Sequence, residues 1–227
     1  MNLSNLVRKA AMAAALTLAA ASFSVAESRS DWKAHWITHP WVQSTTNTWI
    51  SYRKEVNVTK RPDKLVAKIA VDSKYWMWIN GELVVFEGGL KRGPFPNGTY
   101  YDKVDIAPFL KEGNNTVAIL LWHFGKQGFS HNSSGQAALI FEAISPELKI
   151  LSDNSWLCVP NPAYGSTDAP HPNYRLSESN IRFEARKDLR GWNMPGFDVR
   201  RKMHRAANVD EVAWPAMGEL VERPIPM

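Results

Sequence analysis

Apolar positions in this chain recur every second residue over short runs, and Gly, Pro, Asn and Asp separate the runs. That period belongs to strands with alternate side chains on opposite faces. In residues 64–71 (KLVAKIAV), Leu65, Ala67, Ile69 and Val71 share one face, and Lys64, Val66, Lys68 and Ala70 share the other. Residues 49–58 (WISYRKEVNV) alternate more loosely and read as another strand. Residues 75–79 and 82–86 flank Asn80-Gly81, a pair that tolerates the positive φ angles of a type I′ turn, which predicts a hairpin. Along 75–78, Trp76 and Trp78 fall on one face while Tyr75 and Met77 fall on the other, and one of the two pairs must fill the core. Residues 115–124 (NTVAILLWHF) form a long apolar run, the pattern of a strand covered on both faces. Residues 137–144 and 156–159 supply further strands, and residues 105–110 read as a single helical turn with Asp105 as N-cap and Gly113 beyond its end.

Strands at this spacing, with no internal repeat and no heptads, predict a mainly β fold: a jelly-roll or galactose-binding-like β-sandwich over residues 32–160. After Pro160 the texture changes, and residues 161–213 read as a loop-rich extension. Within it, 161–174 is a long loop, 182–185 a further strand and 191–198 another loop. Residues 214–227 end in Arg223-Pro224-Ile225-Pro226-Met227. Prolines oppose helix and central strand, so this stretch is expected to be a connector to a downstream domain.

The start of the chain reads differently. Arg8-Lys9, an apolar run of 14 residues over 10–23 and the small residues Ser24 and Ala26 have the layout of a secretory signal peptide over residues 1–26, with cleavage after Ala26. The run falls short of the roughly 20 residues a membrane span needs, so no stable membrane insertion is expected after cleavage. Export to the periplasm or medium follows. Cleavage removes two cations and lowers the net charge from +5 to +3, too mild a balance to indicate nucleic acid as a partner. Cys158 is the only cysteine, which excludes an internal disulfide, and its neighbours Leu157 and Val159 suggest a small buried side chain.

Several phrases together resemble bacterial α-L-rhamnosidase-like proteins: 32–37 (WKAHWI), 52–56 (YRKEV), Ile79-Asn80-Gly81, Tyr100-Tyr101-Asp102 with Asp105, and 113–118 (GNNTVA). Residues 152–156 (SDNSW), 178–186 (ESNIRFEAR), Gly191-Trp192 and 195–198 (PGFD) resemble the same group, in the same order. The resemblance implies hydrolysis by acidic residues of a helical α/α barrel that follows the β modules. No helix-rich segment here could supply that barrel, and none of the family's catalytic residues can be placed on this sequence. The expectation is a non-catalytic accessory or carbohydrate-binding module of an exported glycoside hydrolase, with rhamnose-containing or other glycans and a downstream barrel as partners. The alternative is a stand-alone exported structural or adhesive sandwich.

Candidate chemistry is limited. Asp102 with Asp105, and Glu178 with Glu184, are the available acidic pairs, but Asp105 is expected to cap a helix and the Glu residues sit among alternating charges. Sugar binding fits better: aromatic rings cover the C–H face of a pyranose while polar side chains satisfy its hydroxyls. The candidates are Trp76, Trp78, Arg92, Asn97, Tyr100, Tyr101 and His123, with 87–101 as the leading binding loop and 123–131 as the second. His35 and His39, four apart beside Pro40, read as separate surface or capping residues and not as a zinc pair. No loop has the oxygen-ligand pattern of a calcium site, and no cofactor is predicted. The basic run Arg200-Arg201-Lys202 with Arg205 reads as a solvated segment or a patch facing a neighbouring domain.

Overall fold

The computed structural model describes residues 25–90, 98–128, 131–169, 180–200 and 202–225. Residues 1–24 of the expected 1–26 leader, Arg92 and Asn97 lie outside the described residues, as do Phe129, Glu178 and Arg201.

Among the described residues, the first strands are β1 (Ala26–Glu27), β2 (Ile37–Thr38), β3 (Thr48–Val58), β4 (Val66–Val71), β5 (Lys74–Ile79), β6 (Glu82–Gly89), β7 (Gly98–Asp105) and β8 (Gly113–His123). They are followed by β9 (Leu139–Ile144), β10 (Lys149–Leu151), β11 (Leu157–Pro160), β12 (Tyr164–Ser166), β13 (Ile181–Phe183), β14 (His204–Arg205), β15 (Ala207–Asn208) and β16 (Glu219–Glu222). One sheet runs β1-β16-β7-β4-β9-β2-β15 with β10 also on β9, and a second runs β14-β11-β3-β8-β5-β6. Strands β12 and β13 form a separate ribbon. The fold is the mainly β sandwich that the alternating pattern predicts.

The core lies between the two large sheets. Ile50, Tyr52, Tyr75, Met77, Ile119 and Leu121 come from the six-stranded sheet and meet Ala67, Ile69, Val71, Leu139, Phe141 and Ala143 from the other. Each of these side chains larger than alanine contributes about 1.5–3 kcal/mol. The β5–β6 hairpin forms as expected, with φ of 55° at Asn80 and 87° at Gly81. Asn80 also ties the turn down: its Nδ2 donates to Phe109 O and Asn115 Oδ1, and its Oδ1 accepts from Thr116 N.

The helical turn is a 3-10 turn over Ala107–Phe109, one residue later than predicted, although Asp105 Oδ1 still accepts from Ala107 N at 3.2 Å and from Leu65 N at 3.0 Å. The long loop after Pro160 contains a short strand, because Tyr164–Ser166 pairs with Ile181–Phe183. The larger correction concerns the C-terminal segment. Asp210–Met217 is an α-helix, α1, that contains both Trp214 and Pro215, and β16 pairs in parallel with β7 inside the sheet. Pro215 is exposed and removes one hydrogen bond from a helix fixed by burying Ala213, Trp214 and Met217. The residues from 214 to 222 belong to the fold and are not a free connector.

Arg223 locks this segment in place. Its guanidinium donates to Asp102 Oδ1 and to Gly89 O, while Asp102 Oδ2 accepts from Tyr75 Oη and Gly89 N, both at 2.9 Å. Burial, and after it the neighbouring Asp102, pushes the Tyr75 hydroxyl well above its ordinary range. Cys158 is buried as the sequence suggests, and burial pushes its thiol up to about 12.

Candidate functional site

Both large sheets also carry apolar residues on their outer faces, and each face has its own cover. On the eight-stranded sheet, Trp32, Trp36 and Tyr101 pack with Ile140, Trp214 and Met217. On the six-stranded sheet, Trp49, Leu120, Trp122, Phe124 and Trp192 form a separate cluster. This double covering explains why residues 115–124 are apolar at almost every position.

The second face is an aromatic stack. Strand alternation puts Trp49 of β3, Trp122 of β8, and Trp76 and Trp78 of β5 on the outer side, and pairing sets Trp49 opposite Trp122. The Trp49 and Trp122 rings stack at 4.6 Å with 8° between planes. Tyr164 stacks on Trp49 at 4.2 Å and 17°, and Trp76 lies 5.7 Å from Trp49 at 24°. Trp78 meets Trp192 edge-on at 5.7 Å.

Among the described residues, 161–169 and 180–200 cover part of this face. Arg53, 1% exposed, anchors that cover: its Nη1 donates to the carbonyls of Trp192 at 2.8 Å and Met194 at 2.6 Å. Its Nη2 reaches Glu55 Oε1 at 2.8 Å. What stays open is a groove of about 420 Å³. Trp49, Leu120 and Trp122 line it with Tyr164 and Ile181, and β5 and β6 supply Trp76, Trp78, Leu83 and Phe86. Phe86 is 70% exposed, and Glu87 is the one charged residue of the lining among the described residues.

Of the residues singled out from sequence, Trp76 and Trp78 face this groove, half-buried, while Tyr75 and Met77 fill the core. Tyr100 and Tyr101 stand on β7, in the other sheet, away from the tryptophans of the groove. Tyr101 is corrected to a structural residue: it is 2% exposed, lies edge-on to Trp32 at 5.4 Å and donates to Glu27 Oε1 at 2.8 Å. Burial, then Glu27, raises its hydroxyl pKa. His123 is corrected too, being fully buried with Nδ1 3.1 Å from Asp72 O and 3.4 Å from Asp72 Oδ1.

The remaining candidates have local roles. Asp102 and Asp105 are committed to the bonds described above and do not face a common cleft. Glu184 is engaged by Lys187 at 2.9 Å. His35 Nδ1 lies 2.6 Å from Asp210 Oδ2, and His39 is buried against His204 and Trp41, where its Nδ1 accepts from Trp41 N at 3.3 Å as a local capping bond. Among the described residues, no group of three or more His, Cys, Asp or Glu is placed to hold a metal. Sequence reasoning missed Trp49, Trp122 and Tyr164. The in-out alternation of β3 and β8 was the available signal for the first two, whereas Tyr164 sits in a stretch that reads as loop.

No protein-family model matches the sequence, and no curated protein matches it. Solved structures do. The GH78 family rhamnosidase of Bacillus sp. GL1 matches with a TM-score of 0.73 at 25% identity, over 86% of this chain and 20% of that one. An α-L-rhamnosidase from Dictyoglumus thermophilum matches with a TM-score of 0.65 at 21% identity, over 88% and 23%. The α-L-rhamnosidase of Aspergillus terreus matches with a TM-score of 0.60 at 19% identity, over 86% and 23%. The chain thus spans only about a fifth of the length of the rhamnosidases it resembles. In fold, it is a rhamnosidase-like β-sandwich domain.

Proposed function

We propose that this chain serves as a non-catalytic accessory module of an exported α-L-rhamnosidase-like glycoside hydrolase, and that its open tryptophan face recognises rhamnose-containing glycosides. The observation that carries the reading is the match of 86% of the chain to one fifth of a GH78 rhamnosidase. The aromatic groove supplies a surface of the kind that covers the apolar face of a sugar or its substituent. Asp102, Asp105 and Glu184, three of the four acidic residues weighed as catalytic pairs, are taken up in structural bonds, which supports a role in holding ligand and not in cleaving it. Export rests on the leader composition. Cleavage after Ala26 would leave as first residue Glu27, whose carboxylate grips Lys68 Nζ at 2.8 Å and the Tyr101 hydroxyl.

Isothermal titration with a panel of rhamnosides tests the binding, and a nitrophenyl rhamnoside assay tests the absence of turnover. The reading expects heat with at least one rhamnoside and no hydrolysis. Absence of heat across the panel removes the recognition role, and clear turnover removes the accessory role.

A further inference from the structure

We propose that the groove on the six-stranded sheet holds a flat aromatic, largely apolar group: the non-sugar part of a rhamnoside and not the sugar itself. The inference rests on the recognition role above and narrows it to one half of the ligand.

The polar groups of the groove decide the point. A pyranose carries hydroxyls around its ring, and each one withdrawn from water without a partner costs about 1–3 kcal/mol. Among the described residues, the groove is poor in groups to meet them. Glu87 carries the one charge among these residues, and Lys74 already sits 3.2 Å from that carboxylate. The Trp122 indole N–H is engaged by Asn47 Oδ1 at 3.2 Å, and Trp49 Nε1 is buried. What remains among the described residues is the indole N–H groups of Trp76 and Trp78 and the Tyr164 hydroxyl, enough for one or two polar substituents on a flat ring system.

The shape points the same way. The rings of Tyr164, Trp122 and Trp76 lie at 17°, 8° and 24° to the Trp49 plane. A planar guest can join such a stack at the usual aromatic separation of about 4.5–7 Å. A volume of about 420 Å³ suits a single small ligand of a few rings. Because the rings hold one another, little side-chain freedom is lost on binding.

The test titrates the full chain with three probes: L-rhamnose, 4-methylumbelliferone and 4-methylumbelliferyl α-L-rhamnoside. Trp76→Ala and Phe86→Ser serve as groove variants. Phe86 is 70% exposed, so its loss leaves the fold intact. The proposal expects the free coumarin to bind within threefold of the rhamnoside, rhamnose to bind at least tenfold more weakly, and both variants to lose at least tenfold. Binding of rhamnose as tight as that of the rhamnoside, with none for the coumarin, overturns the inference and leaves the glycan reading standing. Coumarin binding without rhamnoside binding supports the groove assignment but sinks the glycan reading. Silence from all three probes sinks both. Coumarin affinity unchanged in both variants overturns the inference, as does a dimer that Phe86→Ser dissociates, because the groove would then be a self-association face.

Discussion

The two outer faces of the sandwich are built from the same kind of residue and end in opposite states. On the eight-stranded sheet, Trp32, Trp36 and Trp214 are sealed under the N-terminal segment and α1. Directed bonds hold that cover: Asp210 Oδ1 accepts from Trp36 N at 2.8 Å, and Thr99 Oγ1 donates to Met217 O at 2.6 Å. Lys68 Nζ sits 4.1 Å over the Trp32 ring and is neutralised by Glu27 and Glu142. On the six-stranded sheet, a two-stranded ribbon and a series of turns carrying Trp192 cover Trp49 and Trp122 and reach Trp78 of β5, but among the described residues they leave a groove along β5 and β6. Trp76, Trp78, Leu83 and Phe86 are left at an open groove. Tryptophan content alone therefore says little about function here; the completeness of the cover does. The sealed face is core, and the half-covered face is where a ligand can lie.

Substitution should separate the two faces by stability and by binding. Trp36→Ala, at a fully buried site, is expected to cost about 3–5 kcal/mol by leaving a cavity, read by urea denaturation. Asp102→Ala should cost about 3 kcal/mol or more, since the Arg223 guanidinium would lose its carboxylate, and β16 would become the first part of the sheet to exchange amide hydrogens. Arg53→Ala removes charge-assisted bonds to two carbonyls of the partial cover and should cost about 2–3 kcal/mol. If its effect on rhamnoside binding exceeds that of Trp76→Ala, the cover itself holds the ligand and the comparison needs redrawing. Trp76→Ala should cost about 1 kcal/mol or less in stability, as expected for a half-exposed ring.

The smallest effect is a pH dependence. Burial, with a contribution from His204, lowers the pKa of His39 below its ordinary value. The unfolded chain therefore binds the proton more readily, so stability is lost as pH falls through the unfolded value near 6.5 and regained above it. Thermal midpoints measured from pH 5 to 7.5 should show this rise, and His39→Gln should flatten it.

Much of the sandwich was legible in sequence because local pattern dictates it. Asn80-Gly81 specifies its turn, and the unbroken apolar run of β8 announces a strand covered on both faces. The C-terminal segment was not legible. Its helix is held by tertiary burial of Trp214 and Met217 despite Pro215, and the parallel pairing of β16 with β7 joins residues 121 positions apart (220 − 99), beyond any local signal. The site was half legible. Alternation put Trp76 and Trp78 on one face and left open which face is outward, and the groove also needs Tyr164, brought in by a ribbon that sequence pattern reads as loop. The burial of His123 and Tyr101 was not legible because their partners, Asp72 and Glu27, are distant in sequence.

The indole N–H resonances of the ten tryptophans, assigned through single Trp→Phe variants and followed by two-dimensional NMR during titration with 4-methylumbelliferyl α-L-rhamnoside, test the contrast between the faces most directly. The account predicts shifts at Trp76 and Trp78, smaller ones at Trp49 and Trp122, and none at Trp32, Trp36 or Trp214. Shifts confined to the sealed set, or a spectrum unchanged at saturating ligand, would contradict it.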